Sequence, residues 1–170
     1  MESTPGGRAV DWLAAAAPDP HACRGEWEGS GRGAMLLPAG RLWDVLLVPG
    51  GLGHPAFELL SRPDLGPGRD LAAGRDLVAE RDRLSRRPGG GPVYADFADG
   101  QLGFLVPVGT AARWIGTGVR SAGSGTWVAL PHPAGAGRGL RWLAPPDGSG
   151  RLTDPAVLEL ALHEVAARLR

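Results

Sequence analysis

A single mixed α+β domain spanning residues 1–170 is expected here, with a central, mostly antiparallel sheet and helices packed on one side of it. Glycine and proline fill 28 and 16 of the 170 positions, a share that demands many turns and excludes a plain helical bundle. Short apolar runs bounded by turn residues recur along the chain, as strands do. The carboxyl-terminal segment instead spaces its apolar residues as a helix does. Hydrophobic residues at 43% and charged residues at 21% are ordinary globular usage, enough for one core in a chain of this length.

Each element follows from local chemistry. Residues 8–17, with Val10, Trp12, Leu13 and an alanine run, suit a short helix that Pro18 and Pro20 stop. Leu36 and Leu37 lead into Pro38-Ala39-Gly40, and the run 42–48 ends in Pro49-Gly50-Gly51. That pattern predicts two strands joined by a tight turn, the second central and buried on both faces. A helix over 55–61 should follow, because Ala56, Leu59 and Leu60 share helical spacing. Residues 93–97 and 101–108 read as strands joined through Ala98-Asp99-Gly100, a hairpin signal. Further strands are expected at 126–130 and 140–143, with a short helix at 110–115. The closing helix has Asp154 as N-cap, Pro155 at its first position, and Leu158, Leu162, Val165 and Leu169 as one apolar stripe.

Residues 62–91 differ in composition. Arg-Asp pairs recur there at Arg69-Asp70, Arg75-Asp76 and Arg81-Asp82, a six-residue step that does not hold one helical face. A charged low-complexity insertion or loop within the domain is expected, rather than a solenoid. Its second half can be helical through pairing of Asp76, Glu80, Arg83 and Arg87.

All 18 basic residues are arginine, and 18 acids balance them, so no global field draws the chain to DNA or anionic lipid. The lone Cys23 excludes an internal disulfide and a thiolate-rich zinc site. The start of the chain lacks a basic region followed by an apolar run, and no stretch reaches the length of a membrane span. These features predict a soluble, cytoplasmic protein without membrane partners.

Two families share motifs with the chain. Residues 43–51, an apolar strand ending in Pro49-Gly50-Gly51, resemble the DJ-1/PfpI superfamily, which implies a nucleophilic cysteine on a later elbow; Cys23 lies upstream instead. A broader resemblance runs from Leu42 onward. It takes in the strand and corner of 43–60, Gly91-Pro92-Val93, the strand Gly103-Phe104-Leu105-Val106-Pro107, and Gly118-Val119-Arg120. It continues through the glycine-rich hairpin into Trp127-Val128-Ala129-Leu130-Pro131 and ends at Gly139-Leu140-Arg141-Trp142. This pattern resembles the actinobacterial proteins similar to the amino-terminal domain of bifunctional DNA primase/polymerases, the prim-pol group. At the turn, Leu130-Pro131-His132-Pro133 has proline where that group has serine.

The resemblance implies an RRM-like sheet on which two close carboxylates, a histidine and a further acid hold divalent metal and the incoming nucleotide. Such chemistry needs charged oxygens to clamp two cations. At the corresponding places this chain has Leu46, Leu47 and Val48, then Phe104 and Leu105, then Thr117 and Gly118. Asp44 is the only carboxylate of the first strand and reads either as an exposed strand-start residue or as a metal ligand. No catalytic residue, metal site or cofactor is therefore expected.

Function is expected to be binding or regulation, with single-stranded nucleic acid, a nucleotide or another protein as partner. The candidate nucleic-acid-binding residues are Arg120, Trp127, Arg138 and Arg141, because stacking on unpaired bases needs aromatics flanked by arginines. Competing readings are a DJ-1/PfpI-like hydrolase or thiol protein using Cys23 with His54, and an adaptor that uses the Arg-Asp insertion as its contact surface. His54, after the Gly-rich corner, could donate to an anion but reads more readily as a surface or capping residue; His132 and His163 lack metal-ligand spacing, and His132 is expected in an exposed turn. Gly123-Ser124-Gly125 reads as a hairpin turn more readily than as a phosphate nest.

Overall fold

The computed structural model describes residues 5–31, 33–62, 90–135 and 139–170. Residues 63–89 of the Arg-Asp insertion, and Arg138, lie outside the described residues. The elements are α1 (Pro5–Ala14), α2 (Pro20–Gly29), β1 (Ala34–Pro38), β2 (Asp44–Pro49), α3 (Gly50–Ser61), β3 (Val93–Asp96), β4 (Gln101–Val106), α4 (Thr110–Arg113), β5 (Arg120–Ala122), β6 (Trp127–Pro131), β7 (Leu140–Ala144) and α5 (Pro155–Arg168). The expected mixed α+β architecture is present. Five strands form an antiparallel sheet in the order β5-β2-β4-β3-β7, and β1 pairs with β6 in a separate two-stranded ribbon.

Strand alternation sorts the core into two layers. Val45, Leu105, Tyr94, Ala122 and Trp142 face one side and pack with α1, α2 and the inner ribbon residues Leu37, Val128 and Leu130. Leu46, Val48, Val93, Leu102, Phe104 and Val106 face the other and pack under α3 and α5. Helices thus cover both faces, not one. The apolar residues of β2 are the reason: Leu46 and Val48 bury on one side and Val45 on the other, so each side needs a cover.

Several local expectations are corrected. Pro20 starts a second helix instead of ending the first, since Asp19 accepts from the Ala22 N–H at 3.0 Å as N-cap and a proline is tolerated at the first position. Chain 39–43 turns tightly between β1 and β2, yet the two strands do not pair; β1 takes β6 as its partner. Helix α3 begins directly at Gly50 and runs through Pro55. In α5, Leu158, Leu162 and Val165 are buried, whereas Leu169 lies past the last helical turn and is exposed. Strand β5 has no counterpart among the expected strands, because three residues carry no readable period. The expected hairpin forms, with Gly100 at φ +63° closing its loop. Among the described residues, no helix is long and apolar enough to cross a membrane.

Candidate functional site

The chemistry-bearing positions lie on the five-stranded sheet. Leu46 and Val48 of β2 and Phe104 of β4 are fully buried beneath α3 and α5, and Leu105 is fully buried on the opposite face. These side chains fill space between layers, each contributing about 1.5–3 kcal/mol by burial. Among the described residues, no three His, Cys, Asp or Glu side chains gather where they could hold a metal.

Asp44 is not an exposed strand-start residue; it is 1% exposed. Its Oδ2 accepts from the N–H groups of Gly109 and Ala111, both at 2.9 Å, at the start of α4. The carboxylate therefore caps a helix start, where donors lack intrahelical partners. Its Oδ1 is buried and has no hydrogen-bond partner among the described residues.

One end of the first sheet face carries polar groups. Register places Arg120 beside Leu47, and Leu47 in line with Gly103 and Tyr94; the next row holds Pro49, Gln101 and Asp96. Arg120 Nη2 donates to Gln101 Oε1 at 3.1 Å. Since β5 and β4 flank β2, the arginine side chain lies across β2 to make this bond. No carboxylate pairs with Arg120 among the described residues. Tyr94 lies over Gly103, where a Cβ would collide with the ring, and meets Trp142 edge to face at 5.8 Å between centroids. Burial, followed by the nearby Asp96 charge, pushes the Tyr94 hydroxyl well above its ordinary pKa. Asp96 Oδ1 accepts from the N–H groups of Ala98 and Asp99, which fixes the hairpin beside it.

The sequence-derived candidates are not brought together. Arg120 sits on one edge strand and Arg141 on the other, and their side chains leave opposite faces: Arg120 shares a face with Trp142, the neighbour of Arg141 in β7. Four strand spacings separate the two edges, about 19 Å. Trp127 belongs to the ribbon, opposite Pro38, on its outer face. Gln101 was missed as the partner of Arg120. The hairpin register that brings Tyr94 to Gly103 was readable, but the link from Gln101 to Arg120 runs through β5, which was not.

Cys23 is buried in α2, and burial, then the Glu26 charge, raises its thiol pKa. His54 lies on α3, against the opposite face of the sheet. His132 is buried, not exposed; it stacks edge to face on Trp27 at 5.4 Å, and its Nδ1 accepts from the Ala134 N–H at 3.0 Å. Gly123-Ser124-Gly125 forms the turn before β6, with Gly125 at φ +87°. No family model matches the chain, and no curated protein and no solved structure is found to be similar to it.

Proposed function

We propose that this chain is a binding or regulatory module on a prim-pol-like α+β frame and that it does not transfer nucleotides. The supporting observation is the complete burial of Leu46, Val48 and Phe104, at positions where the resemblance puts metal-ligating side chains. An aliphatic side chain packed under two helices neither binds a cation nor makes room for one. The raised thiol of buried Cys23 is the opposite of what a nucleophilic cysteine needs, so the DJ-1/PfpI-like reading has no supporting geometry.

The ligand we assign to the module is a nucleotide or a short single strand, held at the polar end of the first sheet face. Arg120 has a guanidinium with donors to spare beyond its bond to Gln101, and an arginine fork suits phosphate. Arg141, on the other face, does not belong to this site. The test combines two measurements on the full chain. Primer extension with labelled nucleotides and Mg²⁺ or Mn²⁺ should stay at background. Single-strand binding by fluorescence anisotropy should weaken about tenfold in Arg120→Ala, with a shallower salt dependence, and stay unchanged in Arg141→Ala. Extension above background overturns the first part; equal effects of the two substitutions overturn the second.

A further inference from the structure

We propose that β1 is the pairing edge of a symmetric homodimer, in which two ribbons join antiparallel through Leu36 into a four-stranded sheet. The hydrogen-bond phase of the ribbon carries this. Ala39 N–H donates to the Thr126 carbonyl at 2.9 Å, and the pairing alternates from that point along the register. Residues 35, 37 and 39 therefore bond to β6. The N–H and C=O groups of Ala34 and Leu36, and the carbonyl of Pro38, turn to the other edge, where no described strand pairs with them.

This edge is unlike the other strand edges among the described residues. The outer strands of the five-stranded sheet each present an exposed arginine, Arg120 on β5 and Arg141 on β7, and charges of that kind keep exposed edges from pairing. The outer edge of β6 is used within the chain, because the Pro131 carbonyl accepts from Trp142 Nε1 at 2.8 Å. Strand β1 reads Ala-Met-Leu-Leu-Pro and holds no charge.

The geometry selects a second copy as the occupant. Leu36 is the middle residue of β1, so a two-fold axis through it lets each Leu36 N–H donate to the Leu36 carbonyl of the other copy. Ala34 N–H then meets the Pro38 carbonyl of the other copy, and Pro38, which has no N–H, ends the ladder. Such a pairing is isologous and closes at two chains. A free main-chain edge calls for a main-chain partner, and the ribbon's outer face adds no cation that would favour nucleic acid. Its outward residues are Ala34, Leu36, Pro38, Trp127 and Ala129, with Leu36 61% and Trp127 54% exposed, while Pro131 at the end of β6 is buried. The second copy brings the same uncharged face, and a formal net charge of zero leaves no global repulsion.

Sedimentation of the full chain over a dilution series tests the proposal. The expected result is reversible exchange between 17.6 kDa and twice that mass. Leu36→Arg, which gives β1 the charge that guards β5 and β7, should weaken the dimer about tenfold or more, with circular dichroism unchanged. The pairing sets the two Leu36 Cα atoms about 5.5 Å apart. A short bis-maleimide should therefore link two chains of Leu36→Cys, while the unmodified chain, whose Cys23 is buried, stays unlinked. A monomer at the highest concentration, a dimer that Leu36→Arg leaves intact, assemblies larger than two, or no cross-link at Leu36→Cys overturns it.

Discussion

Gly103 shows how one absent atom arranges a sheet face. Tyr94 on the neighbouring strand lays its ring over the glycine, and a Cβ there would overlap the ring edge. Adding that carbon forces Tyr94 off its rotamer and away from its edge-to-face contact with Trp142. Gly103→Ala should cost about 2–4 kcal/mol, read by urea unfolding, as overpacking of a filled interior does. The added cost should shrink when Tyr94 is also replaced by alanine, because the collision partner is gone. A glycine inside an apolar strand does announce a close approach in the sequence. What approaches it follows from the hairpin register, which Gly100 and the loop before it also make readable. Asp44 is different: its sequence neighbours are apolar, and nothing local marks it as the acceptor for groups 65 and 67 positions later.

At the scale of elements, α4 depends on that carboxylate. The helix is four residues long and cannot hold itself together through its own hydrogen bonds. The Gly109 and Ala111 N–H groups would lose their acceptor in Asp44→Ala, and the expected cost is about 2–4 kcal/mol by chemical denaturation. Asp44→Asn keeps one acceptor oxygen and should cost less. Equal losses in the two variants would mean that packing, not capping, is what the side chain supplies. Every described element except α2 and β5 was legible in the sequence, most sharply those with a period or a cap, namely β2, the β3–β4 hairpin and α5. Helix α2 was hidden because Pro20 ends one helix pattern and opens another, and only the Asp19 cap distinguishes the two. Strand β5 was hidden by its length, and with it the bond from Arg120 to Gln101.

For the molecule as a whole, burial sets the response to alkali. Tyr94 is the chain's only tyrosine, and there is no lysine, so Tyr94 and Cys23 dominate titration on the basic side. Both pKa values are raised in the folded chain, first by burial and then by Asp96 and Glu26 respectively. Below the ordinary pKa of each group, folded and unfolded states hold the proton alike, and the full stability is present. Above it, the unfolded chain releases a proton that the folded chain keeps, so stability falls as pH rises. The melting temperature should therefore drop above about pH 9–10, less steeply in Tyr94→Phe. Phenolate absorbance should appear together with unfolding. Titration of the phenol at its ordinary pH in the folded protein would contradict this account.

Composition, turn chemistry and apolar periodicity suffice for the α+β class, the hairpin and the capped terminal helix, because each rests on interactions among residues a few positions apart. They also suffice to show that β2 and β4 carry apolar side chains at Leu46, Leu47, Val48, Phe104 and Leu105. They do not settle that β1 leaves β2 for β6, that helices cover both faces of the sheet, or that Arg120 and Arg141 part to opposite edges and faces. Those outcomes depend on contacts between distant segments, where the burial of two apolar faces at once chooses among pairings that local preferences leave nearly equal.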